Sequence, residues 1–293
     1  MQAAREINPN GGTNPSLFGA VDLGAYRLAN RLVMAPMTRS RATPDHVPSA
    51  LAPVYYAQRA TAGLIVTEAN HVCAGGAGFP NTPGLHRADQ AAAWHRVTRA
   101  VHARGGRIVL QLWHAGRMSH PANLPPGLLP VAPSAVAARG EIFTFEGRLP
   151  LVTPRALTTG EVEEIVAQFA HASRLALAIG FDGVDIHAGN GYLIDQFLRD
   201  GTNRREDRYG GARENRARLL LEVTAAICDI WGPERVGVRL SPLHPGNDMH
   251  DSDPAATFGY AAAALDRLGV AYLHVVEPGP GHPSASDEGQ YLV

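Results

Sequence analysis

The sequence predicts an α/β protein of the (β/α)8 TIM-barrel type, because three features coincide along it. Short runs rich in Val, Ile and Leu alternate with amphipathic stretches, no GxGxxG turn follows the first run, and polar residues gather at the C-terminal ends of several runs. Repeated β-then-α units without a break in composition fit either one closed barrel or one open doubly wound sheet. The absent glycine fingerprint removes the dinucleotide site that a Rossmann sheet would carry. Thr38, Glu68, Gln111, His187 and Arg239 instead stand at or near the ends of five different runs. A barrel collects its reactive groups from several strand ends in this way.

Six runs read as strands: Arg31–Pro36, Leu64–Glu68, Arg107–Leu112, Gly183–His187, Arg235–Leu240 and Ala271–Val276. They are nearly continuous in apolar residues, the pattern of strands covered on both faces of a parallel sheet. Helices are expected between them. Ala88–Ala103 places Trp94, Val97 and Val101 on one face. The stretch Glu161–Ile179 is preceded by Thr158, three residues before Glu161, which is a capping-box spacing, and Gly180 follows its end. Asn215–Trp231 and Asp253–Leu268 likewise stop just before Gly232 and Gly269. The segment His114–Pro154, rich in Pro and Gly, reads as an excursion over the barrel mouth.

A complete barrel of this type has eight strands. About six of the eight β/α units are therefore expected here, in one incomplete domain over residues 1–293 with a flexible lead-in at 1–14. A barrel left open at two edges is expected to be marginally stable.

Composition narrows the function. Twenty-six Lys and Arg stand against 27 Asp and Glu, a formal charge of −1. Such a balance carries no electrostatic footprint for nucleic acid or an anionic membrane. Two distant cysteines, Cys73 and Cys228, make neither a disulfide framework nor a thiolate metal site, so a reducing, cytoplasmic setting is expected. The start of the chain has no apolar core of a secretory signal, and no run reaches the ~20 apolar residues of a membrane span. His244, Asp248, His250, Asp251 and Asp253 cluster in sequence but lack the fixed spacing of a metal site, so no metal is expected. Gly75, Gly76 and Gly78 open no evident helix and read as a flexible loop rather than a phosphate cradle. Arg204, Arg205, Arg208 and Arg213, interleaved with acids, read as a salt-bridged loop.

The densest chemistry follows the fourth run, in His187-Ala-Gly-Asn190-Gly-Tyr192. His and Asn can both donate hydrogen bonds to one oxygen, and fixed donors at a developing oxyanion are a strong catalytic device. A tyrosine, with an ordinary pKa near ~10, is protonated at neutral pH and can act as a general acid.

The stretch HAGNGYLIDQFL, continuing RDGTNRREDRYGGARENRARLLLEV, closely resembles the Old Yellow Enzyme family of FMN-dependent ene-reductases. Further motifs match in family order: Ala35-Pro-Met-Thr38-Arg-Ser-Arg-Ala42, Val66-Thr-Glu-Ala69, Gln111-Leu-Trp-His-Ala-Gly-Arg117 and Gly237-Val-Arg239-Leu-Ser-Pro242. The resemblance runs from about Pro15 to Pro278 and is to the classical branch. It implies FMN as cofactor and NADPH or NADH as reductant. Ala35, Pro36, Met37, Thr38 and Ala69 would then lie against the flavin, Gln111 at its pyrimidine edge and Arg239 by N1 and O2. His187 and Asn190 would hold the carbonyl of an activated alkene (an enone, enal or maleimide) and Tyr192 would protonate it, with Trp113 and Phe79 lining the pocket. A homo-oligomer is compatible with the family.

Two departures stand out. Phe79 occupies a place where the family usually has Tyr, and nothing in Glu277–Val293 resembles the motifs that hold the FMN phosphate. The rival expectation is a catalytically weak fragment that needs a complementary segment.

Overall fold

The computed structural model describes residues 16–244 and 246–277. The expectations for residues 1–14 and 278–293 lie outside them. The chain begins with an antiparallel hairpin, β1 (Val21–Leu23) and β2 (Tyr26–Leu28), and then enters the main sheet at β3 (Val33–Met34). Helix α1 (Ala52–Ala57) leads to β4 (Leu64–His71), and α2 (Ala88–His102) to β5 (Ile108–Trp113). The expected excursion follows. It pairs β6 (Val131–Ala132) with β9 (Arg155–Ala156) and contains a hairpin of β7 (Glu141–Thr144) and β8 (Gly147–Pro150). Helix α3 (Thr159–Ala178), β10 (Gly183–His187) and the short helices α4 (Leu193–Leu198) and α5 (Arg213–Arg216) come next. Helix α6 (Arg218–Trp231), β11 (Val236–Leu240), α7 (Pro254–Leu268) and β12 (Tyr272–Val275) end the described chain.

Six strands form one parallel sheet in the order β12-β11-β10-β5-β4-β3. Chain order and spatial order agree, as they do around a barrel. Among the described residues β3 and β12 are its edges, and Leu32 and Val33 beside the first are 41% and 48% exposed. No helix among the described residues is long and apolar enough to cross a membrane.

The two faces of the sheet have different partners. Ile65, Ile108, Leu110, Val184, Ile186, Val236 and Val238 pack with the helices in the principal core. Leu64, Val66 and Val109 point the other way and meet Tyr26 and Leu28 of the hairpin, which therefore covers the N-terminal end of the interior. The Tyr26 hydroxyl donates to the carbonyls of Asp182 and Arg235, at 3.0 and 3.2 Å. A Cβ on Gly183 would lie 2.0 Å from that hydroxyl, so glycine is what lets the hairpin seat. Toward the C-terminal end the interior turns polar, with Gln111, Asp185, His187 and Arg239 on the same alternating positions. The runs look continuous because both faces are buried, yet period two still separates helix-facing from interior residues.

Helix ends follow the expected chemistry. Thr158 Oγ1 accepts from the Glu161 amide at 3.2 Å and Glu161 Oε2 accepts from the Thr158 amide at 2.8 Å, a reciprocal capping box. Gly180 and Gly269, with φ of +83° and +76°, end α3 and α7 in the left-handed region.

Three expectations need correction. The first strand keeps only Val33–Met34 of Arg31–Pro36, because the chain turns away after Met34. The second runs three residues beyond Glu68, to His71, through a register shift between Val66 and Ala69. Gly75–Gly78 is not a loose loop. A Cβ on Gly78 would meet Ala115 and Trp113 at 2.8 Å, so close packing rather than mobility requires the glycine.

Candidate active site

The site grows from the register of the sheet. Ala69 of β4 stands beside Gln111 of β5, Gln111 beside Asp185 of β10, and Asp185 beside Gly237 of β11. Two residues further along, His187 stands beside Arg239. The bulge in β4 gives Ala69 this place, since without the extra residue the alternation would turn it to the other face.

After His187 the chain turns sharply. Asn190 has φ of +57° and Gly191 +76°. Asparagine is among the few residues that enter this region at modest cost. The turn is held from β11 and the loop after it: the Asn190 amide donates to Ser241 Oγ at 2.6 Å, and Asn247 Nδ2 donates to the Asn190 carbonyl at 2.7 Å. Asp195 Oδ2 accepts from the Gly191 amide at 2.8 Å, and its Oδ1 accepts from Arg199 Nε at 2.8 Å. Gln196 ties the same turn to the β5 loop, donating to the carbonyls of Gly191 and Ala115 and accepting from the Arg117 amide.

These anchors bring the expected residues together. The Tyr192 ring lies edge-on to both Trp113 and His187, with centroids 5.0 Å away in each case. Phe79 stacks on Trp113 at 6.1 Å and 13°. Ala69 and Ala115 complete this cluster. Ala35, Pro36, Met37 and Thr38 follow the end of β3, with Thr38 exposed and Met37 48% exposed.

The electrostatics suit donors rather than bases. His187 Nδ1 receives the Gly189 amide at 3.4 Å, which leaves the proton on Nε2. Burial, with Arg239 and His274 nearby, holds its pKa well below the usual imidazole range. It is thus a neutral N–H donor at physiological pH. Burial pushes the Tyr192 hydroxyl up to about 12, partly opposed by Arg239, so it keeps its proton. Several buried polar atoms here have no partner among the described residues: Arg239 Nε, Asn190 Oδ1 and Trp113 Nε1.

Glu68 is joined to the segment after β3 through Arg39. Its carboxylate accepts from the Arg39 amide at 3.2 Å and from the Tyr56 hydroxyl at 3.3 Å, while Arg39 bonds the Tyr55 hydroxyl. Burial pushes the Glu68 carboxyl up to about 7, which those two donors only partly oppose. Folding therefore favours its protonated form, and stability is lost as pH rises from about 4.5 through about 7. Glu68→Gln is expected to abolish this loss. Urea denaturation at pH 5 and pH 8 should show wild type losing up to ~3 kcal/mol relative to the variant. Parallel behaviour of the two proteins would refute the assignment.

Among the described residues, no group of three or more His, Cys, Asp or Glu is placed to hold a metal ion. Asp248 pairs with Arg139 at 2.6 Å, and Asp251 accepts from the Thr257 hydroxyl. The arginine-rich loop is salt-bridged, Arg205 to Asp207 and Arg208 to Glu163.

A small alanine, the aromatic cluster of Phe79, Trp113 and Tyr192, and the unpaired Arg239 Nε and Asn190 Oδ1 at neighbouring strand ends suit a flat heteroaromatic ring. The profile of the NADH:flavin oxidoreductase / NADH oxidase family matches residues 16–291. The chain belongs to this family. It is similar, at 43% identity over 259 residues, to a probable flavin mononucleotide-dependent alkene reductase of Leishmania infantum, covering 87% of this chain and 71% of that one. Its fold matches an old yellow enzyme homologue from Zymomonas mobilis, with TM-score 0.87, 48% identity, and coverage of 89% of this chain and 73% of the other. A morphinone reductase in complex with tetrahydroNAD matches with TM-score 0.86 and 49% identity, over 89% of this chain and 74% of that one. The chain is thus an FMN-dependent, NAD(P)H-using oxidoreductase of the Old Yellow Enzyme family, on a barrel-type α/β sheet.

The sequence reading missed the groups that hold the site. Asp195 and Arg199 carried a signal, an acid and a base four residues apart after the turn. Ser241 and Asn247 carried none, because their role depends on β11 lying beside β10.

Proposed function

We propose that this enzyme reduces the carbon–carbon double bond of alkenes activated by a carbonyl, such as enones, enals and maleimides. The observation that carries the reading is the contact set of His187, Tyr192 and Trp113 over the interior row that holds Gln111 and Arg239. Ala35, Pro36, Met37, Thr38, Ala69, Gln111 and Arg239 would hold FMN, and the unpaired Arg239 Nε supports that role. Bound there and reduced by NADPH or NADH, FMN would be the source of the hydride that the β-carbon of the substrate receives. A permanent cation such as Arg239 stabilises negative charge at the ring edge beside it.

In this reading His187 Nε2 and the Asn190 carboxamide hold the substrate oxygen. Polarising that oxygen draws electron density from the β-carbon, and two fixed donors avoid the cost of reorganising water. Tyr192 gives its proton to the α-carbon. Its raised pKa is compatible with this, because the acid must stay protonated until the carbanion develops. Phe79 and Trp113 supply an apolar wall that excludes water.

An anaerobic titration tests the proposal. The purified protein, loaded with FMN, should bleach with NADPH and regain its colour on addition of 2-cyclohexenone, and His187→Ala should lose most of the second step. A protein that binds no FMN would favour the fragment reading instead. FMN that bleaches but is reoxidised by oxygen alone would remove the alkene from the proposal.

A further inference from the structure

Beneath the reacting groups lies a buried carboxylate that the chemistry above does not use. Asp185 is fully buried on β10, beside Gln111 and two residues before His187. Its Oδ1 accepts from Gln111 Nε2 at 2.7 Å, and its Oδ2 faces His274 Nδ1 at 3.3 Å. Arg239 is close enough for the opposite charges to attract.

In this pair the carboxamide nitrogen donates and the carboxylate oxygen accepts. The short contact to Gln111 therefore settles which end of the carboxamide meets it: the NH2 end faces Asp185. Turning the amide over would set two acceptors against each other in a dry interior, where nothing screens their repulsion. The Gln111 backbone is fixed as well, since its amide donates to Thr67 Oγ1 at 3.1 Å. Among the described residues nothing donates to Gln111 Oε1. The side chain is thus held by its NH2 end, with the carbonyl end left open.

We propose that Asp185 is a positioning residue that presents Gln111 to the flavin as an acceptor, so that the enzyme selects a ring bearing a free N3–H. The inference rests on the assignment of Gln111 to the pyrimidine edge made above. That edge offers two carbonyl acceptors, at C2 and C4, and one donor, N3–H. The oxygen of a carboxamide held carbonyl-first can pair only with the donor, whatever the second N–H of its NH2 group reaches. Without the carboxylate the amide can turn and offer NH2 to a carbonyl, and the preference for N3–H disappears. Asp185 thereby sets cofactor specificity through Gln111.

The test compares binding of FMN and 3-methyl-FMN to the apoprotein by quenching of flavin fluorescence. A methyl at N3 removes the donor and adds bulk, so Gln111→Leu gives the steric share of the penalty. Wild type is expected to bind 3-methyl-FMN at least ~10-fold more weakly relative to FMN than Gln111→Leu does. Asp185→Asn should bring that ratio down to the Gln111→Leu value. A role limited to balancing Arg239 and His274 would weaken both flavins in parallel and leave the ratio at its wild-type value, which overturns the proposal. Wild type binding FMN with no preference over 3-methyl-FMN overturns it too, while leaving the function proposed above intact. No binding of either flavin overturns both. If Asp185→Asn does not fold, nitrogen-15 spectra of wild type and Gln111→Leu decide the matter. One side-chain NH2 pair, with a proton shifted downfield by the carboxylate, should be present in the first and missing in the second; its absence from wild type overturns the proposal.

Discussion

Replacing Tyr192 with phenylalanine is expected to slow reoxidation of the reduced enzyme by an enone by ~10²–10⁴-fold, the usual cost of losing a positioned acid. Reduction by NADPH should stay nearly unchanged, because no proton passes to substrate carbon in that half of the cycle. The substitution is also a clean one. The ring contacts with Trp113 and His187 involve the aromatic body of Tyr192 rather than its hydroxyl, so phenylalanine preserves them. Among the described residues no hydrogen bond to the Tyr192 hydroxyl is found, so none is lost. Stopped-flow measurement of the two half-reactions separates the outcomes. Slowing of both by the same factor would assign Tyr192 to cofactor or substrate binding instead.

The second large effect concerns stability. Asp195 and Arg199 form an ion pair at 2.8 Å with side-chain exposures of 0% and 3%. Arg199 also donates to the carbonyls of Ser241 and Pro242, at 2.6 and 3.3 Å, so it joins α4 to the loop after β11. Asp195→Ala leaves a buried guanidinium with no counter-charge, and breaking a buried pair from one side costs ~3–5 kcal/mol. The net worth of the pair is smaller than this, because burying both charges was itself expensive. The same change removes the acceptor for the Gly191 amide, which lies next to Asn190 and Tyr192. Asp195→Ala should therefore lower the denaturation midpoint sharply and weaken the oxidative half-reaction in the protein that remains folded. A stability change below ~1 kcal/mol would mean that water reaches Arg199.

Local pattern made much of this legible. Apolar runs separated by amphipathic stretches placed β4, β5, β10, β11 and β12, because strand burial leaves a compositional trace within each segment. Thr158, Glu161, Gly180 and Gly269 marked helix ends, because caps are satisfied within a few residues. The hairpin of β1 and β2 and the short α1 escaped notice. Each is too brief to show a period, and each is stabilised by distant partners such as the carbonyls of Asp182 and Arg235 that hold Tyr26.

The candidate set was equally readable, since His187, Asn190 and Tyr192 stand within six residues and the turn between them is written in Asn190 and Gly191. Their environment was not. That His187 is a neutral donor follows from burial and from the Gly189 amide on Nδ1. That Glu68 sits near neutrality follows from its burial against Tyr56. Asp185, the residue assigned here to orient Gln111, looked like one polar letter in an apolar strand. Motif identity and order are properties of the chain, so family and cofactor could be read along it. Orientation, protonation and support are set where strands meet in register. Only the sheet, by laying residue 111 beside 185 and 187 beside 239, decided those.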